Sequence, residues 1–577
     1  MPQWFNDNLD DPPVFDLTGD FRGGMNTTMA PALLPNNQYS YGENVVLTNA
    51  GGVQSRFGTS QLVSASNPSR LLYFDTPSDE KLLLVRDNEF KYFNGSANTT
   101  VSGYSATGDI SLMQAVDYAY VSTGSGLYEF DGTNLYATKR IKVTITNGGT
   151  GYTNATVTVS GGSPVEAAEI EATVADGAVT ILNLTNKGRG YTSAPTVTIS
   201  GDGSNATATA ELIDPPSGTL GVWHTNRMFM AGMSGLSDTI RVSDILDPSY
   251  WGVSNSFRVG GGEGEAVTAL KSWDVTNLLV FKEASTYLVQ TDPAAGVASW
   301  PIQKVSDTVG CVASRTVVQV GADVWWLSRQ GLVSVRRMQQ ETQREISAAI
   351  TVPIQNYVDR INWAAVDKAT AVFYDNKYLL AVPLDGATQP SHTLVYDTLH
   401  QCWAGIWSGL ECVDMSTTNF SSVTELAIST TAGDVVKYDS SRTKDSNQGV
   451  DATFNTKLWM RGYTFGEVIS PKTALNCELE FYQSSATADF LISFDENDAA
   501  PISQSITTGG ELLTLPFPLT SNPIVYDLGT RKDSFSLIGR EQFRSMQPRI
   551  ESAIGRLSVR TLKASAFLDT IDLHTVS

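Results

Sequence analysis

Between residues 68 and 440 the chain repeats one local pattern: an apolar strand, a polar turn, then another strand rich in Tyr, Val or Leu. The pattern shows in RLLYFDTPSDEKLLLVRDNEFKYFNG (70–95), ISLMQAVDYAYVSTGSGLYEFDG (110–132), LGVWHTNRMFMAGMSGLSDTIRVSD (220–244) and VTALKSWDVTNLLVFKEASTYLVQ (267–290). It returns in SRTVVQVGADVWWLSRQGLVSVR (314–336), in residues 368–404 and in TELAISTTAGDVVKYD (424–439). A small antiparallel meander cannot bury both of its faces alone, and stacking meanders radially solves that while leaving only short edges exposed. The expected fold is therefore all-β: an irregular β-propeller of about seven blades, with loops of unequal length because the spacing is uneven. Composition agrees, with 17% charged residues, 41% hydrophobic residues and 48 glycines, a profile for short strands and turns rather than charged helices.

A chain of 577 residues exceeds a single compact core. Residues 1–62 read as an N-terminal arm whose first strands join the propeller, and 63–140 as its first part. Residues 145–161, ITNGGTGYTNATVTVSG, recur as LTNKGRGYTSAPTVTISG at 184–201, sharing Thr-Asn, a Gly-x-Gly-Tyr-Thr core and a Thr-Val-Thr ending. Thr and Val alternate there and Gly marks the turns, so 141–213 reads as a small duplicated β domain inserted between blades; the alternative is another blade pair. DPPSG (214–218) closes the insertion, the propeller resumes over 214–445, and a polar stretch leads to a separate C-terminal β-sandwich-like domain at 451–577. One helix is expected, over 339–361.

The formal charge is −21, from 39 basic and 60 acidic residues, which argues against a surface that grips phosphates. The N-terminus, MPQWFNDNLDDPPVFD, lacks a basic segment followed by an apolar run, so no secretory signal is expected. The longest apolar runs, such as YLLAVPL (378–384), fall far short of the roughly 20 residues that span a bilayer, so no stable membrane insertion is expected.

Residues 223–252 gather the raw materials of a hydrolase site: His224, Arg227, Arg241, Asp238, Asp244 and Asp247 with several serines. SDILDPSYW (243–251) comes near the Asp-box of sialidase propellers but lacks its glycine, and its Ser and Asp are adjacent. The structural reading prevails: Arg227, Asp244, Asp247, Pro248 and Trp251 form a blade corner. In it Asp244 and Asp247 cap turns through nearby backbone amides, Arg227 and Arg241 meet acidic groups or turn carbonyls, and Trp251 is a buried plug. His224, His392, His400 and His574 have no metal-ligand spacing, and RVGGGEGEAV (258–267) lacks the Lys-Ser/Thr ending of a phosphate loop. Cys311, Cys402, Cys412 and Cys477 read as free buried thiols rather than bridges. No catalytic, cofactor-binding or metal-ligating residue is assigned, and no enzymatic activity is expected.

The order of several motifs is more telling than any one of them. GGMNTTMAPALLPNNQYSYGENVVLTNAGGVQSRFGT (23–59) is followed by HTNRMFMAG and IRVSDILDPSYW (224–251). Then come VGCVASRTVVQVGADVWWLSRQGLVSVRR (309–337), YDNKYLLAVPL with HTLVYDTLHQCWA (374–404), and TKLWMRGYTFGEVISPKTALNCELEF (456–481). This series resembles the tail nozzle or hub proteins of short-tailed bacteriophages, the group that includes tail tubular protein B. The resemblance implies a virion structural protein assembled in the host cytoplasm: a homo-hexameric ring below the portal and adaptor that conducts double-stranded DNA during ejection. Its implied partners are further copies of itself, the head-to-tail adaptor, tail fibres or tail-tip proteins, and DNA that passes without specific binding. Six copies would carry a formal charge of six times −21, and a wall of that sign repels DNA within a Debye length of about 10 Å at 0.1 M salt. An acidic or neutral channel is expected, with Lys and Arg mainly at subunit contacts. The rival reading is a receptor-binding or glycan-processing propeller at the tail tip.

Overall fold

A computed structural model describes residues 13–64, 67–262, 264–336, 349–466, 471–482, 487–495, 497–507, 530–537 and 543–568. The fold is all-β, built of many small antiparallel sheets of the propeller-like kind. The chain divides into two compact units: a central one of residues 69–346 and 418–424, and a terminal one of 1–68, 347–417 and 425–577.

The central unit holds five successive meanders. Sheet 1 comprises Arg70–Thr76, Asp79–Arg86, Glu89–Phe93 and Asn98–Val101; sheet 2 comprises Ile110–Ala115, Tyr118–Thr123, Gly126–Phe130 and Leu135–Ala137. Sheet 3 is formed by Leu220–His224, Arg227–Ala231, Thr239–Val242 and Ser256–Arg258, and sheet 4 by Val267–Ser272, Asn277–Lys282, Thr286–Gln290 and Ile302–Ser306. Sheet 5 has three strands, Val318–Val320, Asp323–Ser328 and Gly331–Ser334. The opening strands of sheets 1, 2, 3 and 4 lie beside one another in that order.

Alternation along the second strand of each sheet explains why these sheets stack. Side chains of a strand point to opposite faces in turn. In Arg227–Ala231, Met228 and Met230 join Met113, Ala115 and Leu127 of sheet 2, whereas Phe229 and Ala231 join Leu278 and Val280 of sheet 4. In Asn277–Lys282 the same division sends Leu278 and Val280 toward sheet 3, and Leu279 and Phe281 toward Val324 and Trp326 of sheet 5. Ala119 and Val121 likewise meet Phe74, Leu83 and Phe90 of sheet 1. A strand buried on both faces must be apolar at every position, and MFMA and LLVF are therefore continuous apolar runs rather than alternating ones.

In the terminal unit, sheet 6 comprises Thr370–Tyr374, Lys377–Val382, His392–Asp397 and Cys402–Trp407; sheet 7 comprises Cys412–Thr418, Glu425–Thr430 and Val435–Asp439. Gly58–Val63, which precedes every meander in sequence, completes sheet 7 by pairing antiparallel with Val435–Asp439. Sheet 6 continues through a parallel bridge from Ile406 to Glu43 into Tyr41–Glu43, Thr456–Trp459, Met546–Ile554, Thr487–Phe494 and Asn497–Thr507. A second sheet pairs Val14–Thr18, Val53–Ser55 and Lys472–Tyr482 with Ser558–Leu568. The C-terminal strands read in sequence as a domain apart thus take N-terminal strands as their hydrogen-bonding neighbours, since an edge strand left unpaired strands its backbone groups. Of the expected helix, residues 339–348 lie outside the described residues; the remainder contains a 3-10 turn at Val352–Ile354 and one helical turn, Gln355–Val358.

Within the central unit, residues 140–213 pair Arg140–Thr150 with Ser204–Ile213, and place Ala155–Ser160, Glu169–Ala175, Ala178–Asn186 and Thr196–Gly201 in one sheet. Each copy of the repeat is strand, Gly-x-Gly-Tyr turn, strand. Tyr152 and Tyr191 are the buried tyrosines of the two turns.

Candidate functional site

Asp244, Asp247, Pro248 and Trp251 lie where sheet 3 turns between its third and fourth strands, and Arg227 reaches that turn from the second strand. Arg227 opens the second strand and donates from its guanidinium to the Ser243 carbonyl at 2.9 Å, holding the chain as it leaves the third strand. Asp244 and Asp247 face each other in a single bridge, with Leu246 between them in the left-handed region at φ 55°. Asp244 accepts from the Asn255 side chain at 2.8 Å, not from a backbone amide. Asp247 accepts the Ser249 backbone N–H at 3.2 Å and the Ser249 hydroxyl.

Pro248 offers its carbonyl to the Trp251 indole N–H at 2.9 Å. That bond keeps Trp251 at the rim of its cluster, half-buried beside Met228, Met230 and Tyr120, and so not the buried plug its size suggested. An indole N–H needs a partner, and the one it finds is at the surface of the turn. Arg241 reaches the Gly252 carbonyl at 3.4 Å.

What the sequence did not signal is the set of basic side chains that reach this corner from the neighbouring insertion and its entry strand. Lys187 Nζ lies 2.9 Å from Asp247 Oδ2 and Arg140 3.5 Å from Asp247 Oδ1, and Arg140 also donates to the Ser249 hydroxyl. Lys187 belongs to the insertion, and Arg140 immediately precedes it on the strand that leads in. Burial works to raise the Asp247 pKa, but the Ser249 hydroxyl, Lys187 and Arg140 outweigh it and hold the carboxyl below its ordinary value. Two residues on, Arg189 sits 3.1 Å from Glu129 Oε1 in sheet 2, whose Oε2 accepts from the Tyr120 hydroxyl at 3.2 Å. Glu129 is buried, and burial leaves its pKa raised even though Arg140 and Arg189 pull it down. Lys187 and Arg189 also lie over the Tyr250 and Tyr118 rings, at 4.1 and 5.2 Å.

Alignment of the two repeats gives the signal that could have found this contact. Lys187 and Arg189 stand where the first copy has Gly148 and Thr150. Only one copy carries the charges that reach the buried Glu129 of sheet 2 and the half-buried Asp247 at the corner of sheet 3, so the duplication is asymmetric in use. Within residues 223–252, Arg227 and Arg241 meet turn carbonyls, Asp247 helps seat the insertion, and Asp244 takes the Asn255 side chain.

The histidines are held by neighbours. His224 bridges the Ser272 and Thr291 hydroxyls, each at 2.8 Å, and burial lowers its pKa to about 4 against the opposing charge of Asp274. His400 Nδ1 is 3.3 Å from Asp397, whose Oδ1 accepts the Leu399 and His400 backbone N–H groups. His392 contacts the Ser391 hydroxyl at 3.0 Å, and His574 lies outside the described residues. Among the described residues no three His, Cys, Asp or Glu side chains are grouped to hold a metal ion. All four cysteines are free and buried, and burial pushes the Cys311 and Cys402 thiols up to about 12.

The resemblance motif around Arg56 has a physical basis. Arg56 is buried, donates to both oxygens of Asp445 and to Asn44 Oδ1 at 2.9 Å, and packs over the Phe454 ring at 3.8 Å. Two residues later, a Cβ at Gly58 would sit 2.0 Å from the Lys444 carbonyl oxygen. The Arg-x-Gly spacing is therefore a packing requirement of the strand that completes sheet 7. The sequence as a whole matches no protein-family model and no curated protein.

Proposed function

We propose that the chain is a structural component of a bacteriophage tail: a ring-forming nozzle or hub that extends the DNA channel below the portal and adaptor, conducts genomic double-stranded DNA and anchors other tail parts. The observation that carries this reading is the succession of seven antiparallel sheets along the chain, with the last completed by a strand from before the first. Within the central unit the second strands of sheets 2, 3 and 4 are buried on both faces, which suits a stiff structural body. The net charge of −21 suits a wall that DNA slides past.

Closed ring symmetry needs two different complementary faces on each subunit. Negative-stain imaging of the purified protein tests the reading. A six-fold ring with a central hole wide enough for duplex DNA is the expected result, and a monomer or a trimer overturns it. A channel lined with arginines would overturn the accompanying expectation of an acidic or neutral lumen.

One feature favours the rival, a tail-tip propeller that binds or cleaves glycans. In the terminal unit a cavity of about 520 Å³ is lined by Phe57, Tyr374, Trp407 and Tyr438 together with Asp375 and Asn376. Sugar recognition needs a free ring face, whereas Trp407 is stacked on Tyr438 with centroids 5.2 Å apart and planes at 15°. The nozzle reading is therefore preferred. Sugar release from host surface polysaccharide by the purified protein would reverse that preference.

A further inference from the structure

A different cavity, of about 600 Å³ and wholly within the terminal unit, has a composition at odds with the rest of the chain. Arg360, Lys457, Arg549 and His392 line it, with Tyr357 and Trp459 as its aromatic walls. Acidic residues outnumber basic ones 60 to 39 in the sequence, yet none of the described residues lining this cavity is an Asp or a Glu. The counter-charges of two of the cations stand outside the lining: Glu43 lies 3.2 Å from Lys457 Nζ, and Asp385 takes Arg360 through two parallel bonds of 2.8 and 2.6 Å.

The cations are fixed in place rather than free to wander. Arg549 is buried, lies over the Trp459 ring at 4.4 Å, and donates from Nε and a terminal nitrogen to Gln547 Oε1 at 3.1 and 2.7 Å. Gln547 is anchored in turn by the Ser40 hydroxyl and the Met460 carbonyl. Arg360 lies over Tyr357 at 4.7 Å, and Asn356, a further lining residue, accepts from the Thr27 hydroxyl. Burial and, after it, the positive charge of Arg360 lower the His392 pKa, against Glu43 and Asp385. A pocket of several hundred Å³ with a few convergent, prearranged polar groups is the usual form of a small-ligand site. Guanidinium groups held by second partners are suited to planar carboxylate and phosphate acceptors.

We propose that this cavity is a binding site for a small organic anion bearing a carboxylate or phosphate, taken up by Arg549, Lys457 and Arg360 with its body against Tyr357. It does not depend on the nozzle reading. Isothermal titration of the full chain with inorganic phosphate, citrate and adenosine monophosphate tests it, the three probes separating bare phosphate, carboxylate and phosphate with a planar body.

Saturable one-to-one binding of at least one probe, weakened tenfold or more in both Lys457→Gln and Arg549→Gln, is the expected result. Lys457 is only partly buried, so the Lys457→Gln protein is read even if Arg549→Gln fails to fold, with thermal unfolding as the check on each. No heat of binding from any probe at millimolar concentration, or an affinity unchanged in a folded Lys457→Gln protein, overturns the proposal.

Discussion

At the residue scale, three buried polar groups show how burial and pairing set stability. Removing one partner of a buried ion pair leaves the other charge unpaired and costs about 3–5 kcal/mol, whereas replacing both by apolar groups costs far less. Arg56→Ala is therefore expected to lower the urea midpoint by an amount equivalent to about 3–5 kcal/mol, and the double change Arg56→Met with Asp445→Leu by clearly less. Equal losses would show that the Asp445 charge is not what the arginine satisfies.

His224 gives a pH test. Its folded pKa, about 4, lies below the ordinary histidine value, so folding favours the neutral ring. That contribution is fully present above the unfolded pKa of about 6.5 and is lost as pH falls from there toward 4, on the order of 2 kcal/mol. His224→Gln is expected to flatten unfolding free energy measured by urea titration across that window. An unchanged slope would mean His224 is not the titrating group.

At the scale of elements, the insertion is seated by two residues of one turn. Arg189→Ala leaves Glu129 with Arg140 and Tyr120 and is expected to cost about 2 kcal/mol at pH 7, less than a fully buried pair because Arg189 is a quarter exposed. A raised carboxyl pKa favours the protonated form in the folded state, so its contribution is greatest below the ordinary Glu value and falls as pH rises. Removing Arg189 raises that pKa further, so the loss is expected to shrink at pH 4. Equal losses at the two pH values would remove Glu129 from the account. Arg140 and Ile213 pair directly across the neck of the insertion. Replacing 141–213 by a short Gly-Ser link is therefore expected to leave circular dichroism of the remaining sheets intact, and loss of the β signal would show that the insertion is part of their core.

At the scale of the whole molecule, the device to test is the strand that completes sheet 7. Gly58 abuts the Lys444 backbone so closely that Gly58→Ala must displace either the start of its strand or the bend at Lys444. It is expected to yield little soluble protein, as an uncovered strand edge recruits other chains. A soluble Gly58→Ala protein with wild-type thermal unfolding would mean that this pairing is dispensable.

Residue order alone carries the local pattern: meander after meander, the duplicated turn, the places where chain direction reverses. Those follow from side-chain period and turn chemistry, both of which act over a few residues. It also set Arg227 against acidic groups or turn carbonyls without choosing between them, and in the fold it meets the Ser243 carbonyl. Which edges pair is visible only in the folded chain: Gly58–Val63 with Val435–Asp439, Tyr41–Glu43 between Cys402–Trp407 and Thr456–Trp459. Backbone groups are alike in every strand, so nothing in residue identity names a partner hundreds of positions away. The same holds for charge. Lys187 and Asp247, or the four basic groups gathered in an acidic chain, become legible only when folding brings them within a few ångströms, the range over which burial and Coulomb attraction act strongly.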